Sequence, residues 1–154
     1  MRKITYGLLS AMLLSPMVAN ADLISSWEGT WDQGAFVTGS VEMTITDQVA
    51  SGPDFLLDGH FDWLCVTGGP CSGRELFTGT LVGNLFTVSG FDLVDPVYLG
   101  LGTYTGTVSA DGNSISGTFT SLGGTTPLGS WSVIRVPNPS PSTSSLAVTQ
   151  TAST

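Results

Sequence analysis

The sequence predicts an all-β protein. The expected architecture is an antiparallel up-and-down meander of about eight strands closing into a small barrel, with a β-sandwich as the alternative. Three observations carry this. Apolar and polar residues alternate with period 2 from Val37 to Ile45 and again from Phe55 to Cys65, the mark of a strand with one buried and one wet face. Residues 101–136 repeat short triplets (Gly102-Thr103-Tyr104, Gly106-Thr107-Val108, Gly117-Thr118-Phe119, Gly129-Ser130-Trp131) around Asp111-Gly112-Asn113. Asp-Gly between two β-rich runs signals a hairpin, and a type I′ turn there needs positive φ at both central residues. After residue 21, no stretch has helical periodicity.

Taken in order, residues 1–21 read as a secretory signal peptide. Arg2 and Lys3 give a basic start, residues 6–18 an apolar run, and Ala19-Asn20-Ala21 a small-residue cleavage site. The run is broken by Gly7, Ser10, Ser15 and Pro16 and is shorter than the ~20 apolar residues of a membrane span. The first strand starts near Ser25, anchored by Trp27 and Trp31, and Gly34 ends it. Residues 37–45 form the second strand and 47–53 a loop. In the third, Phe55, Leu57, Gly59, Phe61, Trp63 and Cys65 share one face, opposite Asp58, His60 and Asp62. Residues 75–82 and 85–91 flank a two-residue hairpin at Gly83-Asn84, and 92–96 read as a loop before the final meander. Glycines inside strands (Gly39, Gly59, Gly79, Gly106, Gly117) fit the bends and close approaches of a tightly coiled barrel. The domain spans 22–136. Residues 137–154, rich in Pro, Ser and Thr and without aromatics, lack the apolar surface to offset ordering entropy and read as a disordered tail.

Beyond residue 21 the only basic residues are Arg74 and Arg135, against all 12 acids, a formal net charge of −10 with His60 neutral. Nucleic acid is excluded as a partner, because phosphate binding needs cations. An anionic membrane surface is excluded for the same reason, and direct membrane insertion for want of a span. Cys65 and Cys71 are the only cysteines. In an exported chain they predict a disulfide, closed by Val66-Thr67-Gly68-Gly69-Pro70. Zinc would need further Cys or a His cluster.

Two resemblances follow from these residues. Trp27 to Trp31, closing on Gly29-Thr30-Trp31, is similar to the opening of avidin-like and lipocalin-like (calycin) barrels. That implies a barrel able to hold a small molecule, although Asp32-Gln33 stands where avidins carry a polar ligand-binding set, so no biotin site is implied. The layout of leader, Gly/Thr-rich β-domain and Val136-Pro137-Asn138-Pro139 resembles bacterial proteins with a PEP-CTERM-type sorting tail, which implies an exported or cell-surface protein. Those tails continue into a hydrophobic helix and an arginine cluster, which residues 140–154 lack.

Candidate chemistry is sparse. Asp58, His60 and Asp62 point the same way from one strand, ~6.5–7 Å apart in sequence steps of two. Flanking carboxylates would raise the His60 pKa or make it a base; metal binding by the three needs ligands no single straight strand supplies. Their position opposite an apolar face makes them a solvated surface, and the chain reads as a non-enzyme without a cofactor. No Lys follows residue 3, so no phosphate loop is present, and Asp111-Gly112-Asn113 lacks the spaced acids of a calcium loop. The aromatics Trp27, Trp31, Phe61, Trp63, Tyr104, Phe119 and Trp131 either fill the barrel or line a ligand cup, for which Trp31, Phe61, Trp63, Tyr104 and Trp131 are the candidates. The expected function is an exported, non-catalytic structural component facing the extracellular matrix or cell surface. The alternative is a barrel that binds a small apolar ligand.

Overall fold

A computed structural model describes residues 22–137; the expected leader and the tail beyond 137 lie outside the described residues. Eight antiparallel strands follow in chain order: β1 (Ser25–Asp32), β2 (Thr38–Ser51), β3 (Asp54–Cys65), β4 (Ser72–Val82), β5 (Leu85–Val97), β6 (Gly102–Val108), β7 (Ser114–Ser121) and β8 (Gly129–Arg135). Each pairs with its sequence neighbour, and β8 pairs with β1 through Trp31↔Trp131 and Trp27↔Arg135, closing a barrel rather than a sandwich. Among the described residues there is no helix, and so none long and apolar enough to cross a membrane.

The alternation sets which residues fill the interior. Trp27 and Trp31 of β1, Val41, Met43 and Ile45 of β2, and Leu57, Phe61 and Trp63 of β3 are all buried. Phe61 lies at the centre, its ring 4.7 Å from those of both Phe77 and Tyr104 and 6.0 Å from Trp131. Such ring pairs add ~0.5–1.5 kcal/mol each beyond area burial.

Two strands run further than the alternation indicates. β2 continues through the expected loop, leaving only Gly52-Pro53 as its connection to β3. A register shift between Ile45 and Asp47 interrupts the period-2 pattern there. β5 likewise continues to Val97 through residues expected as a loop. Its pairing with β6 stops at Ser89↔Thr103 while its pairing with β4 extends to Val97↔Ser72. Pro96 is tolerated because β5 is an edge there, with no β6 ladder to need its missing N–H. The turn at Asp111-Gly112 also differs from a type I′ turn: Gly112 alone has positive φ, 70°. The Asp111 carboxylate accepts the Asn113 N–H at 3.1 Å, and the Gly112 N–H donates to the Ser109 carbonyl. This side-chain bonding stabilises a longer loop with one left-handed residue.

The even-numbered connections share one end, which is closed. Leu23 is fully buried beneath it, and its N–H donates to Gln48 Oε1 at 2.8 Å. Its carbonyl accepts from Trp27 Nε1 at 3.3 Å. The Arg135 guanidinium lies 4.6 Å over the Trp27 ring and donates to the Asp22 carbonyl at 2.6 Å and the Gly112 carbonyl at 3.2 Å. One cation thereby ties the chain's entry, the last strand and the β6–β7 loop together. At the other end the expected Cys65–Cys71 disulfide forms, with Cα atoms 5.0 Å apart. Closing so short a loop stabilises by ~2 kcal/mol on the chain-entropy model.

The closeness of strands within the barrel is testable at Gly117. A Cβ there would lie 1.8 Å from the Thr105 carbonyl oxygen and 2.5 Å from Gly106 Cα, both backbone atoms. Gly117→Ala should lower stability by ~1–3 kcal/mol or more, since β6 and β7 must separate to admit a methyl group. Urea denaturation of the oxidised protein reads this directly, and an unchanged midpoint would contradict the strand spacing.

Candidate functional site

The odd-numbered connections (residues 33–37, 66–71, 98–101 and 122–128) surround the open end, and a cavity of about 560 Å³ lies beneath them. Its walls are the rings of Trp31, Trp63, Tyr104 and Phe119, the aliphatic side chains of Val37, Leu99, Leu101 and Leu128, and the Cys65–Cys71 disulfide. Trp63 and Tyr104 stack with centroids 5.4 Å apart, and Tyr104 and Phe119 at 6.1 Å. Trp31 stands edge-on to Trp63 at 5.9 Å. Gln33, Tyr98, Thr120 and Ser121 supply the polar side chains near the mouth; among the described residues no charged side chain lines the cavity.

The rim is also apolar. Phe36 is 78% exposed, Val66 71% and Tyr98 89%, with Leu122 and Leu128 beside the last opening. The four loops contain no Asp, Glu, Lys, Arg or His. An exposed apolar ring of this kind marks a binding mouth more often than an ordinary surface.

Of the five aromatics expected to form a cup, the structure brings Trp31, Trp63 and Tyr104 to the cavity wall. Phe61 and Trp131 lie in the packed layer beneath it, Phe61 fully buried and Trp131 nearly so. The Trp31 indole N–H has no hydrogen-bond partner. It lies against Gly39, where a Cβ would come within 2.5 Å of Nε1.

The residue not singled out from sequence is Glu75. It is the one buried charged side chain among the described residues, with no solvent exposure. Its Oε2 accepts from the Tyr104 hydroxyl at 2.6 Å and from Trp63 Nε1 at 3.1 Å, while Oε1 accepts from the Gly102 N–H at 2.8 Å. Burial raises the Glu75 carboxyl above the usual range, and the three donors oppose that shift without cancelling it. Burial, then the Glu75 charge, raises the Tyr104 phenol well above its usual value, so it remains a donor. The available signal was phase: Glu75 falls in step with Phe77, Gly79 and Leu81, an acid on the inward face.

Asp58, His60 and Asp62 point out of the barrel. Asp62 is held by Arg74 across the β3–β4 ladder, through two contacts of 2.8 and 2.9 Å, and its Oδ2 lies 3.5 Å from His60 Nε2. The expected rise in the His60 pKa is reversed. Partial burial and then Arg74 hold it below the usual value, outweighing Asp62. The Asp62 charge is shared with a guanidinium, so little of it is left to favour an imidazolium. Among the described residues no group of three or more His, Cys, Asp or Glu could hold a metal ion.

No protein-family model matches the chain, and no curated protein matches it. The site is therefore read from its own geometry.

Glu75 should leave a signature in the pH dependence of stability. A carboxyl with a raised folded-state pKa contributes stability that is fully present below its unfolded value, ~4.3. That contribution is lost as pH rises through the folded value. Glu75→Gln should remove this decline, so the stability difference between wild type and variant should change as pH rises above ~4.3. His60, with its lowered pKa, acts in the opposite sense, losing stability as pH falls below ~6.5. It is common to both proteins and drops out of the difference. Parallel melting-temperature profiles would refute the assignment to Glu75.

Proposed function

We propose that this is an exported, non-catalytic barrel that holds a small, uncharged apolar molecule in the cavity at its mouth. The observation that carries the reading is the cavity itself: about 560 Å³, walled by four aromatic rings and lined by no charged side chain. Small-molecule sites usually occupy ~300–1,000 Å³ and are lined in this way. The apolar rim offers such a molecule a route of entry. The leader and the Cys65–Cys71 disulfide support export into an oxidising compartment. The non-catalytic reading is supported by where the titratable groups sit. His60 faces outward on β3, and Glu75 is sealed behind the wall. The resemblance of Trp27 to Trp31 to calycin barrels agrees with a carrier. A structural role at the cell surface is the second reading. It draws on the PEP-CTERM-like layout and on the solid packing of the closed half around Phe61, Phe77, Phe86 and Trp131.

The test is a fluorescence titration with two probes, neutral N-phenyl-1-naphthylamine and anionic 1-anilinonaphthalene-8-sulfonate. The neutral probe should bind saturably, and the sulfonate at least ~10-fold more weakly, because no cation awaits it and the protein is acidic. Leu99→Trp, which fills the cavity from the β5–β6 connection, should weaken the neutral probe by ~10-fold or more with circular dichroism unchanged. Absence of saturable binding by the neutral probe would defeat this reading in favour of the structural one.

A further inference from the structure

The network behind the cavity wall bears on which molecule the site accepts. Three donors converge on Glu75, and all three belong to residues that line the cavity: Trp63, Tyr104 and Gly102. The network joins strands β3, β4 and β6, and the sheet is cut away to admit it. A Cβ at Gly90 on β5 would lie 1.9 Å from Glu75 Oε1, and one at Gly102 would lie 2.6 Å from the Tyr104 hydroxyl oxygen. Tryptophan and tyrosine ordinarily present one polar tip each. Here both tips turn away from the cavity towards the buried carboxylate, and the space receives ring carbon. The polar groups that remain are the Trp31 N–H, buried against Gly39, and the side chains of Gln33, Tyr98, Thr120 and Ser121, which follow β1, follow β5 or end β7, at the mouth.

Resting on the binding reading above, we propose that Glu75 is the positioning residue that sets the ligand class: by withdrawing the Trp63 N–H and Tyr104 O–H from the wall, it makes the deep cavity accept only an uncharged molecule that enters apolar end first, with any neutral hydrogen-bonding group left at the mouth. The residue acts through its neighbours and touches no ligand itself. A ligand presenting a carbonyl to the deep wall would meet donors already committed, and would lose its water without replacement. Releasing those donors should therefore change selectivity, which a purely structural role would not.

Glu75→Gln tests this. An amide has one acceptor oxygen where the carboxylate has two, so at least one of the three donors is released into the wall. The probes are 2,6-diethylnaphthalene and 2,6-diacetylnaphthalene, nearly equal in shape and symmetric, so that whichever end enters, the deep wall meets the same group. Binding to the oxidised protein is read by quenching of tryptophan fluorescence. Wild type should favour the diethyl compound, and Glu75→Gln should move the ratio of dissociation constants about 10-fold towards the diacetyl compound, ~1.4 kcal/mol. Glu75→Met, which keeps the length of the side chain but removes both acceptor oxygens, releases all three donors and should move the ratio in the same direction by at least as much. It keeps the proposal open to refutation if Glu75→Gln does not fold. An unchanged ratio in whichever of the two variants folds, with both probes bound, would overturn the proposal while leaving the binding reading intact. If neither naphthalene binds wild type, the binding reading fails and the proposal with it.

Discussion

The interior of an eight-stranded barrel is only wide enough for side chains to meet across it, so each ring admitted must be matched by space given up elsewhere. In this chain glycine supplies that space. A Cβ at Gly39 would strike the Trp31 indole, one at Gly59 the Phe77 ring, one at Gly129 the Phe119 ring, and one at Gly106 would press on Trp131. The aromatic core and the in-strand glycines are two sides of one volume constraint. This is also why the strands can approach until a methyl group would meet backbone, as at Gly117 and Gly29.

The same constraint divides the barrel into two halves. Towards the closed end, Trp27, Leu23 and the aliphatic residues of β2 and β3 fill the lumen, and Arg135 seals it. Towards the mouth, Glu75 stands on the inward face of β4 where an apolar side chain would otherwise extend the packing. An ionised carboxylate out of water costs several kcal/mol unless hydrogen bonds replace its hydration. Meeting that need draws Trp63, Tyr104 and the Gly102 amide to one point. Trp63 and Tyr104 are thereby held against the wall, and the space in front of them is the cavity. Closed end and open mouth are set by two charges used in opposite ways: Arg135 binds carbonyls at a surface, and Glu75 binds donors in the interior.

Much of this was legible in the sequence. The alternation in β3 separates Phe61 and Trp63 from Asp58, His60 and Asp62, and each goes to the side its phase assigns. Gly83-Asn84 makes its two-residue turn, with positive φ at Gly83 as a type II′ turn requires. What escaped reading depends on contacts between distant strands. The β2 bulge erases periodicity while pairing continues, and the far half of β5 is held by β4 alone. Glu75 shows its phase in the sequence, but its three partners lie 12, 27 and 29 residues away. The His60 pKa depends on Arg74, which reaches Asp62 from the neighbouring strand. Local pattern assigns a side chain to a face; only the closed sheet decides what it meets there.

The distribution of charge follows the same division. Across the outer wall, Glu28, Glu42 and Asp62 occupy directly paired positions on β1, β2 and β3, an arrangement of like charges that destabilises a sheet by itself. Arg74, paired with Asp62 on β4, relieves one end of that row. A chain tolerates such a row where the charge keeps the barrel wall hydrated and discourages contact between copies. The four mouth loops carry no charge, although 12 acids are distributed over the rest of the chain. Acidic residues repel other acidic surfaces from the wall and are missing from the loops around the mouth of the cavity. With Glu75 sealed behind Trp63 and Tyr104, the path from the rim to the deep wall meets no ionised group. The barrel is acidic outside, neutral at its entrance and apolar where its cavity ends.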